Sequence, residues 1–353
     1  MNRLALANLR SVHLCLILQL TLTLFGCGKN NLEKTFDDYQ QRMANVLDSP
    51  FVDKPFSNPQ AHSLTLPSTT LRYPSIRELT TTIEVPSIDV KQFFALDKCD
   101  VNVLIAQRNT PLGRTQLPSV RYIYEYKMLA SLARCSKLMP QQRENLNRWI
   151  SQKQTVLPLV WANLLQTSKE TINAFSNNSS FISFVSATDI QQTQNALTYL
   201  LHLKTAPQAT ISAKELERNL EQLAKIHLPA KTWRTQALMA KELTSTTTWL
   251  KQQPLFEQCP DGQASQQIIY LKNVFTLFFI EKIQPVGSDL NRVHYTLSPL
   301  YQTLGEQTEL HESFRRLLNE QNTTSFSTYQ HAMKEHVLFW QQLFKHCSIS
   351  PHT

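Results

Sequence analysis

The chain has 353 residues, of which 42% are hydrophobic and 18% charged, so it is neither low-complexity nor disordered and can bury a sizeable core. Its six glycines, about 2% against a usual ~7%, leave too few tight turns and phosphate loops for a parallel α/β fold, and a mainly α protein is expected. The formal charge of +8 is spread without a run of five or more like charges, so nucleic acid is not an expected partner.

In chain order, Arg3 and Arg10 form a positive start, and Leu14 to Phe25 an apolar stretch broken only by Gln19, Thr21 and Thr23. About twelve residues fall short of the roughly twenty that cross a bilayer, so residues 1–26 are expected to be a signal peptide rather than a spanning helix. The stretch ends in Leu24-Phe25-Gly26-Cys27, which resembles the lipobox of bacterial lipoproteins, although Phe25 is bulkier than usual there. The resemblance implies lipidation of Cys27 and cleavage before it. Gly28, rather than Asp, implies delivery to the outer membrane, facing the periplasm. Several acyl chains, each methylene contributing about 0.8 kcal/mol, would make that attachment effectively permanent. Loss of Arg3 and Arg10 leaves 33 cationic against 27 acidic side chains, a formal +6 that suits anionic lipid headgroups or cell-wall polymer as well as an ordinary solvated surface.

Residues 27–48 then hold a lipidated tether and a first amphipathic helix, because Leu32, Phe36, Tyr39, Met43, Val46 and Leu47 recur at helical spacing. Residues 49–86 contain Pro50, Pro55, Pro59, Pro67, Pro74 and Pro86, which rule out long helices and predict an extended arm over the body, with short strands conceivable at 64–66 and 80–85. Residues 87–353 read as an irregular multi-helix bundle. Ser212-Ala-Lys-Glu215 is a capping box, Ser298-Pro299 marks a helix start, and Pro158 should kink a helix without ending it. Ile268 to Ile283 is nearly all apolar and is expected to be a central helix buried on most sides, with membrane insertion as the alternative. In the last helix Phe326, Tyr329, Met333, Val337, Trp340, Phe344 and Cys347 form one stripe, which turns Cys347 to the core.

With Cys15 in the signal and Cys27 on the lipid, Cys99, Cys135, Cys259 and Cys347 remain, an even number that predicts two disulfides in an oxidising compartment. Of three connectivities, Cys99–Cys135 with Cys259–Cys347 is favoured because each bond closes its own half of the chain. In the chain-entropy picture each contributes on the order of 3 to 5 kcal/mol. No Cys-x-x-Cys or histidine spacing suggests a metal.

Gly113, Gly262, Gly287 and Gly305 are isolated, so no Gly-rich nucleotide loop exists and no cofactor is expected. A Gly-x-Ser-x-Gly elbow and a Ser-x-x-Lys pair are also missing. His331 and His336 flank Glu335, but five residues put the two rings about 140° apart on a helix, which fits a solvated face better than zinc. Glu312-Ser313 matches the acid of lytic transglycosylases in two residues only, so a glycan hydrolase is a secondary reading. A carrier of an apolar ligand, with a cavity near Ile268 to Ile283, is another. The densest polar constellation is Asp97 and Asp100 followed by Arg108, Asn109, Arg114 and Arg121, where arginines held beside a disulfide could grip a carboxylate or phosphate. The competing reading has Asn109 and Gly113 closing a helix while the arginines cap carbonyls or pair with Asp97 and Asp100.

Phe93-Phe-Ala-Leu-Asp-Lys-Cys-Asp100, Leu104-Ile-Ala-Gln-Arg-Asn109, Leu112-Gly-Arg114 and the Tyr-rich segment to Leu129 resemble a family of bacterial lipoproteins of about 350 residues with a domain of unknown function. The lipobox and the four remaining cysteines fit the same family. It brings no activity and no catalytic residue. It implies an anchored, disulfide-bonded, largely helical periplasmic protein. From the residues themselves, the Arg108–Arg121 region above all, the expected role is a non-enzymatic envelope binding or assembly factor with a protein, lipid or cell-wall partner.

Overall fold

The computed structural model describes residues 32–51, 71–84, 88–96, 99–176, 180–205 and 211–350. The expected signal peptide, Cys27 and residues 52–70 of the expected arm lie outside them. The described residues form helices and turns with no strand.

The helices are α1 Leu32–Leu47, α2 Val101–Asn109, α3 Pro118–Leu138, α4 Arg143–Thr167, α5 Lys169–Phe175, α6 Ala187–His202, α7 Ala213–Ile226 and α8 Leu228–Lys251. They are followed by α9 Gln266–Val274, α10 Gln284–Gly305, α11 Glu312–Asn319 and α12 Phe326–His346. Two π-helical stretches, Phe275–Ile283 and Glu320–Ser325, run α9 into α10 and α11 into α12 without a break. Short helical turns at Ile76–Leu79, Val90–Phe94 and Pro111–Arg114, and tighter 3-10 turns at Pro140–Gln142, Phe256–Gln258 and Pro260–Gly262, complete the set among the described residues.

The main core gathers around the α8–α12 pair, with α1 laid across it through Phe36, Tyr39 and Met43, all fully buried. A smaller core is stapled by the Cys99–Cys135 disulfide and packs Leu96, Val101, Tyr124, Met128, Leu132, Leu146 and Trp149 between α2, α3 and α4. Helix α3 belongs to both. Tyr124 and Met128 face the small core, whereas Tyr122 and Tyr126 face the large one and donate their hydroxyls to the carbonyl of Leu203. Trp161 donates to Leu200 beside them, so three side chains satisfy carbonyls that the end of α6 leaves open. The second disulfide, Cys259–Cys347, ties the loop after α8 to the end of α12, with Cα atoms 5.2 Å apart.

Residues 71–84 lie over α4. Leu79 is fully buried, and the Gln166 side chain donates to its carbonyl while accepting from the amide of His311. Asn163 and Thr81 exchange two bonds, side-chain amide to backbone, much as a paired strand would. Thr80 to Glu84 form no strand.

At several places the structure departs from the local sequence pattern. Ser298-Pro299 starts nothing, because Pro299 lies inside α10. Ser212 does cap α7 through the amide of Glu215. The stripe on α12 is rotated, so Met333 and Val337 are half-buried while Ala332, His336, Phe339 and Leu343 turn inward. Ile268 to Ile283 is not buried on most sides: Ile269, Tyr270, Leu277 and Ile280 form an exposed ridge. The π turn helps explain the split. It lets Phe275 stack on Phe279, centroids 5.1 Å apart, and brings Phe275 onto Trp340 and Phe344, which commits one side of the run inward and leaves the other out.

Candidate functional site

The site is built on the small core. Helix α2 ends at Asn109, Thr110 caps the following turn by accepting from the amide of Gly113, and Pro118 starts α3. Gly113 is required by contact, since a Cβ there would sit 2.1 Å from the carbonyl oxygen of Gln107. The close fold-back places Arg108 over the turn, where its guanidinium donates to the carbonyl of Gly113.

Arg121 and Glu125 stand one turn apart on α3 and form an ion pair, while Lys153 reaches across from α4 to the other carboxylate oxygen at 2.7 Å. Glu125 is 1% exposed and Lys153 6%. Arg121 also lies over the Tyr124 ring, 5.5 Å from its centroid. Burial pulls Lys153 below the ordinary lysine range. Glu125 opposes that shift, and the fields of Arg121 and Arg108 reinforce it. Burial and then Arg121 lower Arg108 in the same way. Arg121 and Lys153 therefore share one buried carboxylate, and Arg108 lies near enough for its charge to act on Lys153. The Nη1 of Arg121, the Nε of Arg108 and the Oε1 of Gln116 are buried without a hydrogen-bond partner. Cations so placed are expensive to desolvate unless an anion joins them.

Of the four residues read from sequence, Arg108 and Arg121 converge. Arg114 is exposed near enough for its charge to act on Arg108, and Asn109 is exposed at the end of α2. Asp100 pairs instead with Arg134 at 2.8 Å on the surface, and Asp97 lies outside the described residues. Glu125 and Lys153 were missed. The i,i+4 spacing of Arg121 and Glu125 was visible, but Lys153 is joined to them only by the α3–α4 packing. Around the cluster Leu112, Leu117 and Val120 expose apolar side chains.

Other constellations fare differently. Among the described residues no group of three His, Cys, Asp or Glu side chains is placed to hold a metal ion. The histidine pair on α12 is not a solvated face. His331 is exposed, but His336 is fully buried and bonds Tyr39, Thr247 and Trp340. Glu312 is exposed in the first turn of α11, with Arg316 3.8 Å away. Near Ile269 and Lys272 there is an open depression of about 470 Å³, bordered by Cys347 and Ile349. No helix among the described residues is long and apolar enough to cross a membrane.

A helical body with two disulfide-tied cores and a buried basic cluster defines the protein structurally. The family model described as "Protein of unknown function (DUF3080)" matches residues 36–351, and the chain belongs to that family. No curated protein and no solved structure matches the chain.

Proposed function

We propose that the protein is a bacterial lipoprotein, held by lipid on Cys27 to the periplasmic face of the outer membrane. There it acts as a non-enzymatic envelope binding or assembly factor by gripping an anionic group of a protein or cell-wall partner at Arg108, Arg121 and Lys153. The observation that carries the binding reading is the charge imbalance: Arg121 and Lys153 share the Glu125 carboxylate, the charge of Arg108 acts on the same site, and guanidinium nitrogens of Arg108 and Arg121 are left without hydrogen-bond partners. A carboxylate or phosphate entering from the Arg108 side would supply the missing acceptors, and the apolar rim of Leu112, Leu117 and Val120 would cover it from water. The lipid anchor is supported by Leu24-Phe25-Gly26-Cys27, and an oxidising compartment by the two disulfides.

Two measurements test the two parts. Labelled palmitate should enter the native chain, be lost in Cys27→Ser, and fractionate with outer membrane. Labelling unchanged in Cys27→Ser would remove the anchor. For binding, inorganic phosphate titrated calorimetrically into the full chain should give saturable heat that disappears in Arg108→Ala/Arg121→Ala. Equal heats in both proteins would remove the site.

A further inference from the structure

We infer that the exposed ridge of α9 and the π segment, Ile269, Tyr270, Leu277 and Ile280, rests on the bilayer surface; this rests on the lipid-anchor reading of Cys27. The four side chains are 39%, 53%, 50% and 39% exposed and point away from the core on one side of a continuous helix. What is to cover them follows from the chain that leads there. Four residues lie between Cys27 and Leu32, the first residue of α1, and the five steps span at most ~18 Å when fully extended.

Helix α1 runs antiparallel to the ridge helix. Gln267 donates to the carbonyl of Val46 near one end, and Tyr39 stacks with Phe278 towards the other. The end of α1 nearest the anchor therefore lies at the Leu277–Ile280 end of the ridge, and a lipid on Cys27 would hold that end close to the headgroups.

Charge complements the placement. Arg42 and Lys282 both cover the Phe278 ring, at 5.2 and 4.5 Å, along the α1 side of the ridge. Glu281 is the single carboxylate between Gln266 and Pro285. Apolar side chains and a tyrosine beside a basic edge suit a helix lying in an anionic interface, with the Lys282 stem laid on apolar surface and its ammonium group at the phosphates.

The test uses the full-length protein in vesicles of equimolar phosphatidylethanolamine and phosphatidylglycerol, carrying the photoreactive replacement Leu277→p-benzoylphenylalanine or Ile280→p-benzoylphenylalanine. Leu138, exposed at the end of α3, is the control position. After irradiation, mass spectrometry should find lipid adducts at 277 and 280 and their loss at 138. Adducts to a second copy of the chain or to no lipid, or equal lipid adducts at all three positions, would overturn the inference. The intact mass of the same sample separates this from the anchor: an acylated chain without adducts sinks the ridge alone, and adducts on an unacylated chain sink the anchor alone.

Discussion

At His336 both ring nitrogens are engaged. The hydroxyl of Thr247 donates to the carbonyl of Leu243, so it accepts from Nδ1–H, and Nε2 accepts from Tyr39 and from the indole of Trp340. The neutral ring thus joins α1, α8 and α12. Burial pushes its pKa down to about 3, and that of His294 to about 4. An unfolded histidine takes up its proton near pH 6.5, so the unfolded chain binds more protons than the folded one below that value. Stability should be complete above pH about 6.5 and fall as pH drops towards 3, by a few kcal/mol at the lower end. Urea unfolding at successive pH values checks this, and His336→Gln should flatten the decline. An equal decline in that variant would show that the ring contributes nothing to it. At Glu125 the expected effect is of similar size but does not need acid. Glu125→Gln removes the carboxylate from Arg121 and Lys153 and should cost roughly 3 to 5 kcal/mol in urea unfolding; a shift within about 0.5 kcal/mol would mean that the cations are already neutralised elsewhere. Arg108 and Arg121 were legible in the sequence because they flank a turn beside a cysteine. Lys153 was not, because nothing local distinguishes it from any lysine on an amphipathic helix.

Between residue and molecule, residues 71–84 are held chiefly by Asn163 and Gln166. Asn163→Ala/Gln166→Ala leaves the backbone groups of Leu79 and Thr81 without these partners, each loss costing about 1 to 3 kcal/mol where the group stays buried. Hydrogen exchange should quicken across 71–84 while α8 and α12 keep their protection; unchanged exchange would place the hold elsewhere. Periodicity identified α1 well, since its apolar side meets one neighbouring surface. It misjudged 268–283, because an apolar run cannot report which of its sides finds a partner. Proline was over-read as a helix marker at 299. The carbonyls that Pro158 and Pro299 leave open belong to Gln154 and Tyr295, both exposed residues whose carbonyls water can satisfy.

Across the whole molecule, two cores share α3, and each disulfide secures a different one. The bonds span 36 and 88 residues, worth about 3 to 5 kcal/mol each in the chain-entropy model. Cys99→Ser/Cys135→Ser should therefore loosen the small core, opening residues 99–117 to proteolysis and weakening phosphate binding, while the helical circular dichroism of the main core persists. Cys259→Ser/Cys347→Ser should lower the melting temperature without touching phosphate binding. Equal effects of the two pairs on binding would contradict the division. Both cysteine pairings and the helical class could be read from the sequence, the pairings from loop economy and the class from the shortage of glycine. The division into two cores could not, because it depends on which side of α3 each tyrosine takes.

The variant Lys153→Met separates an anion site from a structural ion pair. If Lys153 is kept as part of an anion site at the expense of stability, replacing it with an apolar chain of similar length removes one desolvated cation. Arg121 keeps its partner in Glu125, so the variant should melt at or above the native temperature. Phosphate is expected to raise the melting temperature of the native chain, and the variant should lose that rise. A variant that melts lower yet responds fully to phosphate would make Lys153 a structural ion-pair partner and refute the anion site.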